Sequence, residues 1–153
     1  TACIVLLIML PTPGPVMALD LGEKRIGIAL SDPTRTIAAP YAVIGRKSRA
    51  EDVARYAQLI AERKVTLLVI GLPITLAGEE GQRAAWVRNY AATLAEQLPV
   101  PILFHDESLT TIEAETSLRA QGKRGRKVKE QVDAVAAAII LQSWLDAQTH
   151  EGG

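Results

Sequence analysis

Val16-Met17-Ala18-Leu19-Asp20-Leu21-Gly22-Glu23-Lys24-Arg25-Ile26-Gly27-Ile28-Ala29-Leu30-Ser31 opens the folded part of the chain. Two short apolar runs, Val16–Leu21 and Ile26–Ser31, flank a polar turn, the pattern of two antiparallel strands. Asp32-Pro33 makes a further turn. Residues 36–44 predict a third strand, in which Pro40 marks an edge or a bulge. Beyond this meander the pattern changes. Ser48-x-x-Glu51 is a capping box opening a helix to about Arg63. Residues 65–70 (VTLLVI), apolar on both faces, read as a buried strand. Residues 71–78 read as a loop, 79–98 as a helix with acids at its start, and 101–105 as another strand. Thr110-x-x-Glu113 is a second capping box, opening a helix to about Gln121. Residues 122–129 form a basic loop and 130–148 the last helix. The order β-β-β-α-β-α-β-α-α predicts an α/β fold. Its mixed five-stranded sheet has three antiparallel strands, then βα units paired in parallel, with helices on its faces.

The chain has 153 residues, which suits one domain, expected over residues 16–148 with a disordered tail at 149–153. Residues 1–10 form an apolar run followed by Pro11, Pro13, Gly14 and Pro15. That run is too short to span a bilayer, which takes ~20 residues, and lacks the basic flank of a secretory signal. Residues 1–15 are therefore expected to lie outside the fold, and the protein to be cytoplasmic with no membrane partner. The single cysteine, Cys3, excludes an internal disulfide or a multi-cysteine zinc site. With only His105 and His150 as histidine ligands, any metal should be a hard cation held by carboxylates.

Three acids stand out against these elements. Asp20 lies inside an apolar strand, where a carboxylate is costly without a partner; the simpler alternative is a cap for the following turn. Asp106-Glu107 end a strand of the parallel half, where α/β sheets gather their sites; two solvated loop acids are the plainer reading. Asp133 starts a helical stripe through Ala136, Ala137, Ile140, Leu141 and Trp144, so an acid falls on the core-facing side. Its plain alternative is a first-turn acid complementing the helix dipole. Glu113 already serves a capping box, and Glu130 reads as a solvated glutamate. Together, Asp20, Glu107 and Asp133 suit two divalent ions, Mg²⁺ or Mn²⁺. The surplus positive charge would meet a phosphodiester, and such ions activate water and stabilise the leaving oxygen.

Lys+Arg and Asp+Glu both number 17, so the net charge is zero, but the bases are not evenly spread. Arg119, Lys123, Arg124, Arg126, Lys127 and Lys129 cluster just before Asp133, with no acid between Glu115 and Glu130. A solvated loop is the usual meaning of such a run. Here it lies beside the proposed acids, where a phosphate backbone would bind with steep salt dependence. Lys24, Arg25 and Arg83 are further phosphate candidates.

The motifs resemble those of the YqgF/RuvX family. Residues 20–32 (DLGEKRIGIALSD) are similar to its opening motif. Ile70-Gly71-Leu72-Pro73 with Gly78 and Gly81-Gln82-Arg83-Ala84 is similar to its second, residues 105–114 (HDESLTTIEA) to its third, and residues 132–142 to its final helix. The resemblance runs from about Val16 to Asp146. It implies a ribonuclease H-like fold related to RuvC Holliday-junction resolvases. It also implies a divalent-metal nuclease, associated with processing the 5′ end of pre-16S rRNA and with Holliday-junction resolution. The family's metal-binding acids fall on Asp20, Glu107 and Asp133. Two departures stand out. Ser108 replaces a frequent arginine, which removes a phosphate contact, and Ile74-Thr75 replace a frequent asparagine.

Two other classes compete. Asp20-x-Gly22 with Gly27 also resembles the phosphate loop of actin-like ATPases, but those need two such domains and far more chain. A non-catalytic RNA- or ribosome-binding module would keep the basic cluster and not depend on the acids. Nucleic acid is the expected partner in the nuclease reading, either pre-rRNA or structured or junction DNA. Symmetric junction cleavage needs two sites and hence a homodimer, whereas rRNA processing needs only a monomer.

Overall fold

The computed structural model describes residues 13–108 and 126–152. Strands β1 (Val16–Leu21) and β2 (Arg25–Ser31) form the expected hairpin, in which Leu19 faces Ile28 and Asp20 faces Gly27. Gly22 closes the turn, its N–H donating to the Arg25 carbonyl at 3.0 Å. A Cβ at Gly22 would stand 2.6 Å from that same oxygen. Strand β3 (Ala38–Gly45) pairs antiparallel with β2 at the sheet edge. Its register skips at Tyr41, because Ile28 pairs with Ala42 and Ala29 with Pro40. Pro40 thus sits on an edge strand and beside a bulge, two places that tolerate a missing N–H.

Strand β4 (Leu67–Ile74) runs parallel to β1, and β5 (Ile102–Ser108) parallel to β4. The order is β3-β2-β1-β4-β5, the expected mixed five-stranded sheet. Two expected strand ends are corrected. Residues 71–74 were expected in a loop, and Asp106-Glu107 beyond a strand. Instead β4 and β5 extend each other: Leu72 pairs with Asp106, and Pro73 with Glu107. The ladder to β1 ends at the Leu19–Ile70 pair, so Pro73 removes no bond on that side.

Helix α1 (Arg49–Arg63) starts as its capping box dictates, with Ser48 Oγ accepting from the Glu51 N–H at 3.2 Å. Helix α2 (Gln82–Gln97) begins three residues later than expected. Glu79 and Glu80 instead form a turn: the Thr75 N–H donates to the Glu79 carbonyl, and Glu80 bridges to Ile74. Arg88 then grips Glu80 with two bonds of 2.6 and 3.0 Å. Helix α3 (Arg126–Gly152) starts four residues earlier and ends four later than the expected 130–148. Arg126, Lys127 and Lys129 therefore lie on a helix and not in a loop, and the chain is helical through Gly152 where a disordered tail was expected. The helix expected over 110–121, and Arg119, Lys123 and Arg124, fall outside the described residues, as do residues 1–12.

Pro13–Pro15 were expected outside the fold, yet they are tied into it. The Thr66 N–H donates to the Pro15 carbonyl at 2.9 Å, and the Gly14 N–H to the Pro33 carbonyl at 3.0 Å. Among the described residues no helix is long and apolar enough to cross a membrane.

Strand alternation divides the core in two. Met17, Leu19, Leu21, Ile26 and Ile28 pack toward α1 and α2, around Tyr56, Tyr90 and Leu94. Val16, Ala18, Ala29, Leu67 and Val69 pack toward α3, against Ala137, Ile140, Leu141 and Trp144. Two glycines set how closely α3 lies. A Cβ at Gly27 would fall 1.9 Å from the Asp133 carbonyl oxygen, and one at Gly71 would fall 2.6 Å from Ile140 Cδ1. At Gly27 the obstacle is backbone, which has no rotamer to adjust. Gly27→Ala should therefore destabilise the protein by about 2–3 kcal/mol through overpacking. Gly45→Ala, where nothing lies within 4 Å, should stay within about 1 kcal/mol. Urea unfolding of the two variants checks this, and equal effects would contradict the close approach of α3.

Candidate active site

The sheet face beneath α3 carries the chemistry. Asp20 on β1 has Gly27 as its cross-strand partner on one side. On the other, the Leu19–Ile70 pairing puts Asp20 next to Gly71, which pairs in turn with His105 on β5. A carboxylate thus stands between two residues without side chains, and α3 closes onto both, with the Asp133 carbonyl over Gly27 and Ile140 over Gly71. Glu107 lies two residues beyond His105, on the same face of β5. Asp20, Gly71, Pro73, Arg83, Glu107 and Ile140 border one cleft.

The electrostatics of Asp20 are set by that position. Burial raises its carboxyl to about 6, the nearby Asp133 charge adds to the rise, and the Arg83 guanidinium opposes it. Arg83 is held at the cleft by donating from Nη2 to the Leu21 carbonyl at 3.1 Å. Asp133 lies two turns into α3, beyond the first turn where the helix dipole favours acids. That removes the dipole explanation for an acid on the sheet-facing side. Asp133 Oδ2 accepts from Arg25 Nε at 2.9 Å, and both side chains are partly exposed.

Glu107 is more enclosed than Asp133. Its Oε1 lies 2.8 Å from His105 Nε2, which is also 2.9 Å from Ser143 Oγ on α3. One ring nitrogen cannot point a proton at both. The bond with good geometry is to Ser143, and Glu107 Oε1 stays buried with no hydrogen-bond partner among the described residues. A buried carboxylate oxygen left unpaired is costly unless something charged meets it.

The structure brings Asp20 and Glu107 to one cleft and places Asp133 within electrostatic reach of Asp20. It does not preassemble them: among the described residues no three acids, histidines or cysteines stand close enough to share a metal ion. The donor set nevertheless fits a hard divalent cation. It is all carboxylate, it includes an unsatisfied buried oxygen, and it crowds negative charge onto Asp20. Asp133 would have to exchange Arg25 for the ion.

Of the expected phosphate contacts, Lys24 is exposed in the β1–β2 turn, Arg25 is exposed at the start of β2, and Arg83 is at the cleft. Arg126, Lys127 and Lys129 precede Asp133 on α3. Reasoning from sequence did not single out His105 as a neighbour of Glu107, although strand alternation puts residues two apart on one face. Ser143 and the spacing role of Gly71 left no local signal.

The profile of the RuvX family, described as Holliday junction resolvase, matches residues 14–147. The chain belongs to the RuvX family. A relative from Chloroflexus aggregans, named "Putative pre-16S rRNA nuclease", is 45% identical over 133 residues, covering 87% of this chain and 94% of its own. One of the same name from Synechocystis is 45% identical over 140 residues, covering 90% and 92%. Two solved structures share the fold. Thermus thermophilus RuvC in complex with a Holliday junction substrate has a TM-score of 0.54 at 15% identity, covering 88% of this chain and 95% of its own. The fowlpox virus Holliday junction resolvase has a TM-score of 0.53 at 12% identity, covering 87% and 99%. The RuvX-family chain thus has the ribonuclease H-like fold, and its family match spans Asp20, Glu107 and Asp133.

The raised carboxyl of Asp20 has a measurable consequence. The folded state holds this proton more tightly than the unfolded chain, whose carboxyl titrates near 3.8. Stability from this group is therefore full below about pH 4 and is lost as pH rises through about 6, by on the order of 3 kcal/mol. Without divalent metal, Asp20→Asn should raise stability by roughly 1–3 kcal/mol at pH 8 and give no gain at pH 4. Thermal melts in chelator at both pH values test this. A variant less stable than wild type at pH 8 would contradict the burial of an ionised Asp20.

Proposed function

We propose that this chain is a divalent-metal-dependent nuclease that hydrolyses phosphodiester bonds, processing the 5′ end of pre-16S rRNA in the cytoplasm. The observation that carries this reading is the pairing of Asp20 and Glu107 across one cleft, with Asp133 adding its charge to Asp20. The names borne by the relatives from Chloroflexus aggregans and Synechocystis support the substrate.

Asp20, Glu107 and Asp133 are the residues that would hold Mg²⁺ or Mn²⁺, two ions in this reading. When bound, such ions supply an activated nucleophile at neutral pH and charge stabilisation for the leaving oxygen. The chain's own residues do the rest. Arg83, which donates to the Leu21 carbonyl, would meet a phosphate oxygen beside Asp20. His105, braced by Ser143, stands beside Glu107. Lys24, Arg25, Lys123, Arg124, Arg126, Lys127 and Lys129 would bind the phosphate backbone, and each lost contact should lower the salt slope of binding by about one unit. The family description keeps four-way junction DNA as the second substrate, which would require a dimer to cut both strands.

The test compares a precursor rRNA fragment, a linear single strand and a four-way junction with Mg²⁺ or Mn²⁺. Wild-type protein should cut the rRNA fragment, and Asp20→Asn or Glu107→Gln should lose about a hundredfold or more. Cleavage confined to the junction would transfer the assignment to DNA. Undiminished cleavage by Asp20→Asn would remove the site as drawn. Tight RNA binding with no cutting by wild type would leave a binding module.

A further inference from the structure

Arg83 borders a second cavity on the opposite side from Asp20. This hollow lies between the β1–β2 turn and the start of α2, and Glu23, Arg46, Gln82, Arg83 and Trp86 line it. Its organising feature is a guanidinium plane. Arg46 lies over the Trp86 ring at 4.4 Å from the ring centre, and Trp86 leans on Tyr90 at 5.4 Å. Arg46 Nη1 donates to the Glu23 carbonyl at 2.8 Å and the Gly22 carbonyl at 3.3 Å. The backbone behind it is equally fixed: the Arg46 N–H donates to the Lys24 carbonyl, and the Lys47 N–H to the buried Asp52 carboxylate, which Tyr90 also holds. Arg46 Nε has no partner among the described residues.

A guanidinium stacked on an aromatic ring presents its outer face as a platform for a flat ligand, and RNA-binding sites stack splayed bases on arginine planes in this way. Glu23 and Gln82, both exposed at the rim, offer a carboxylate acceptor and an amide able to donate and accept, the groups that read base edges. A phosphate alone would be poorly served, because Glu23 would repel it. Arg83 forms a wall shared by this hollow and the Asp20 cleft.

We infer that this hollow takes one unpaired nucleobase of the substrate strand, next to the phosphate held at Asp20, by stacking it on the Arg46–Trp86 pair. The inference rests on the nuclease reading above for the strand's path, and it makes the substrate a strand with a splayed-out nucleotide at the cut.

The experiment uses full-length Asp20→Asn protein and single-stranded RNA spanning the cleavage position, with a single abasic nucleotide walked along the strand. Binding is read by fluorescence anisotropy. At one position adjoining the cut, loss of the base should weaken binding about tenfold, the effect expected of one stacked base. Gln82→Ala, at an exposed position, should shrink that penalty. Arg46→Lys, which keeps the charge and removes the plane, should erase it. An abasic strand that binds as tightly as the intact one at every position would overturn the inference while leaving metal-dependent cleavage by wild type untouched. A position-specific penalty that survives in Arg46→Lys would place the base elsewhere. If wild type fails to cut, the nuclease reading fails, and the abasic scan still decides whether the hollow holds a base.

Discussion

The contact on which the rest of the structure depends is backbone against backbone, where α3 crosses β2 at Gly27. The Asp133 carbonyl occupies the space a side chain at 27 would need. Because Gly27 is the cross-strand partner of Asp20, this one approach sets an acid of a helix beside an acid of a strand. Gly71 repeats the device on the other side of Asp20, where Ile140 of α3 comes down onto bare backbone. A bulkier residue at either position would lift the helix and separate the carboxylates that the sheet gathers.

That geometry carries an electrostatic cost, and the cost is concentrated where function would use it. Asp20 is pushed up by burial and by Asp133, while Glu107 keeps a buried oxygen without a hydrogen bond. Arg25 on Asp133 and Arg83 near Asp20 each compensate in part. A neutral chain by count is therefore a segregated one in space. Asp20 and Glu107 share one cleft that Arg83 borders, while Asp133 is paired with Arg25.

Much of this was legible in the sequence because it rests on local rules. Alternation in VMALDL put Asp20 on the face of Val16 and Ala18, which is the α3 face. The Ser48 capping box fixed the start of α1, and Pro40 announced an edge with a bulge. What failed was non-local. Leu72-Pro73 reads as loop by composition, yet each strand end is extended by pairing with the other, so neither could be seen alone. The acids Glu79 and Glu80 suited a helix start, but the turn with Thr75 and the grip of Arg88 on Glu80 took them first. The earlier start of α3 moved Asp133 out of the dipole-favoured turn, which strengthened the case for a site role. His105 needed only alternation to be found, whereas Ser143 needed the helix placed on the sheet.

In the proposed nuclease Asp20, Glu107 and Asp133 together would hold divalent metal. Calorimetric titration of Mn²⁺ into the protein decides this. Saturable binding in wild type that is lost in Asp20→Asn, in Glu107→Gln and in Asp133→Asn alike is the predicted result. Binding that persists unchanged in all three variants would contradict it.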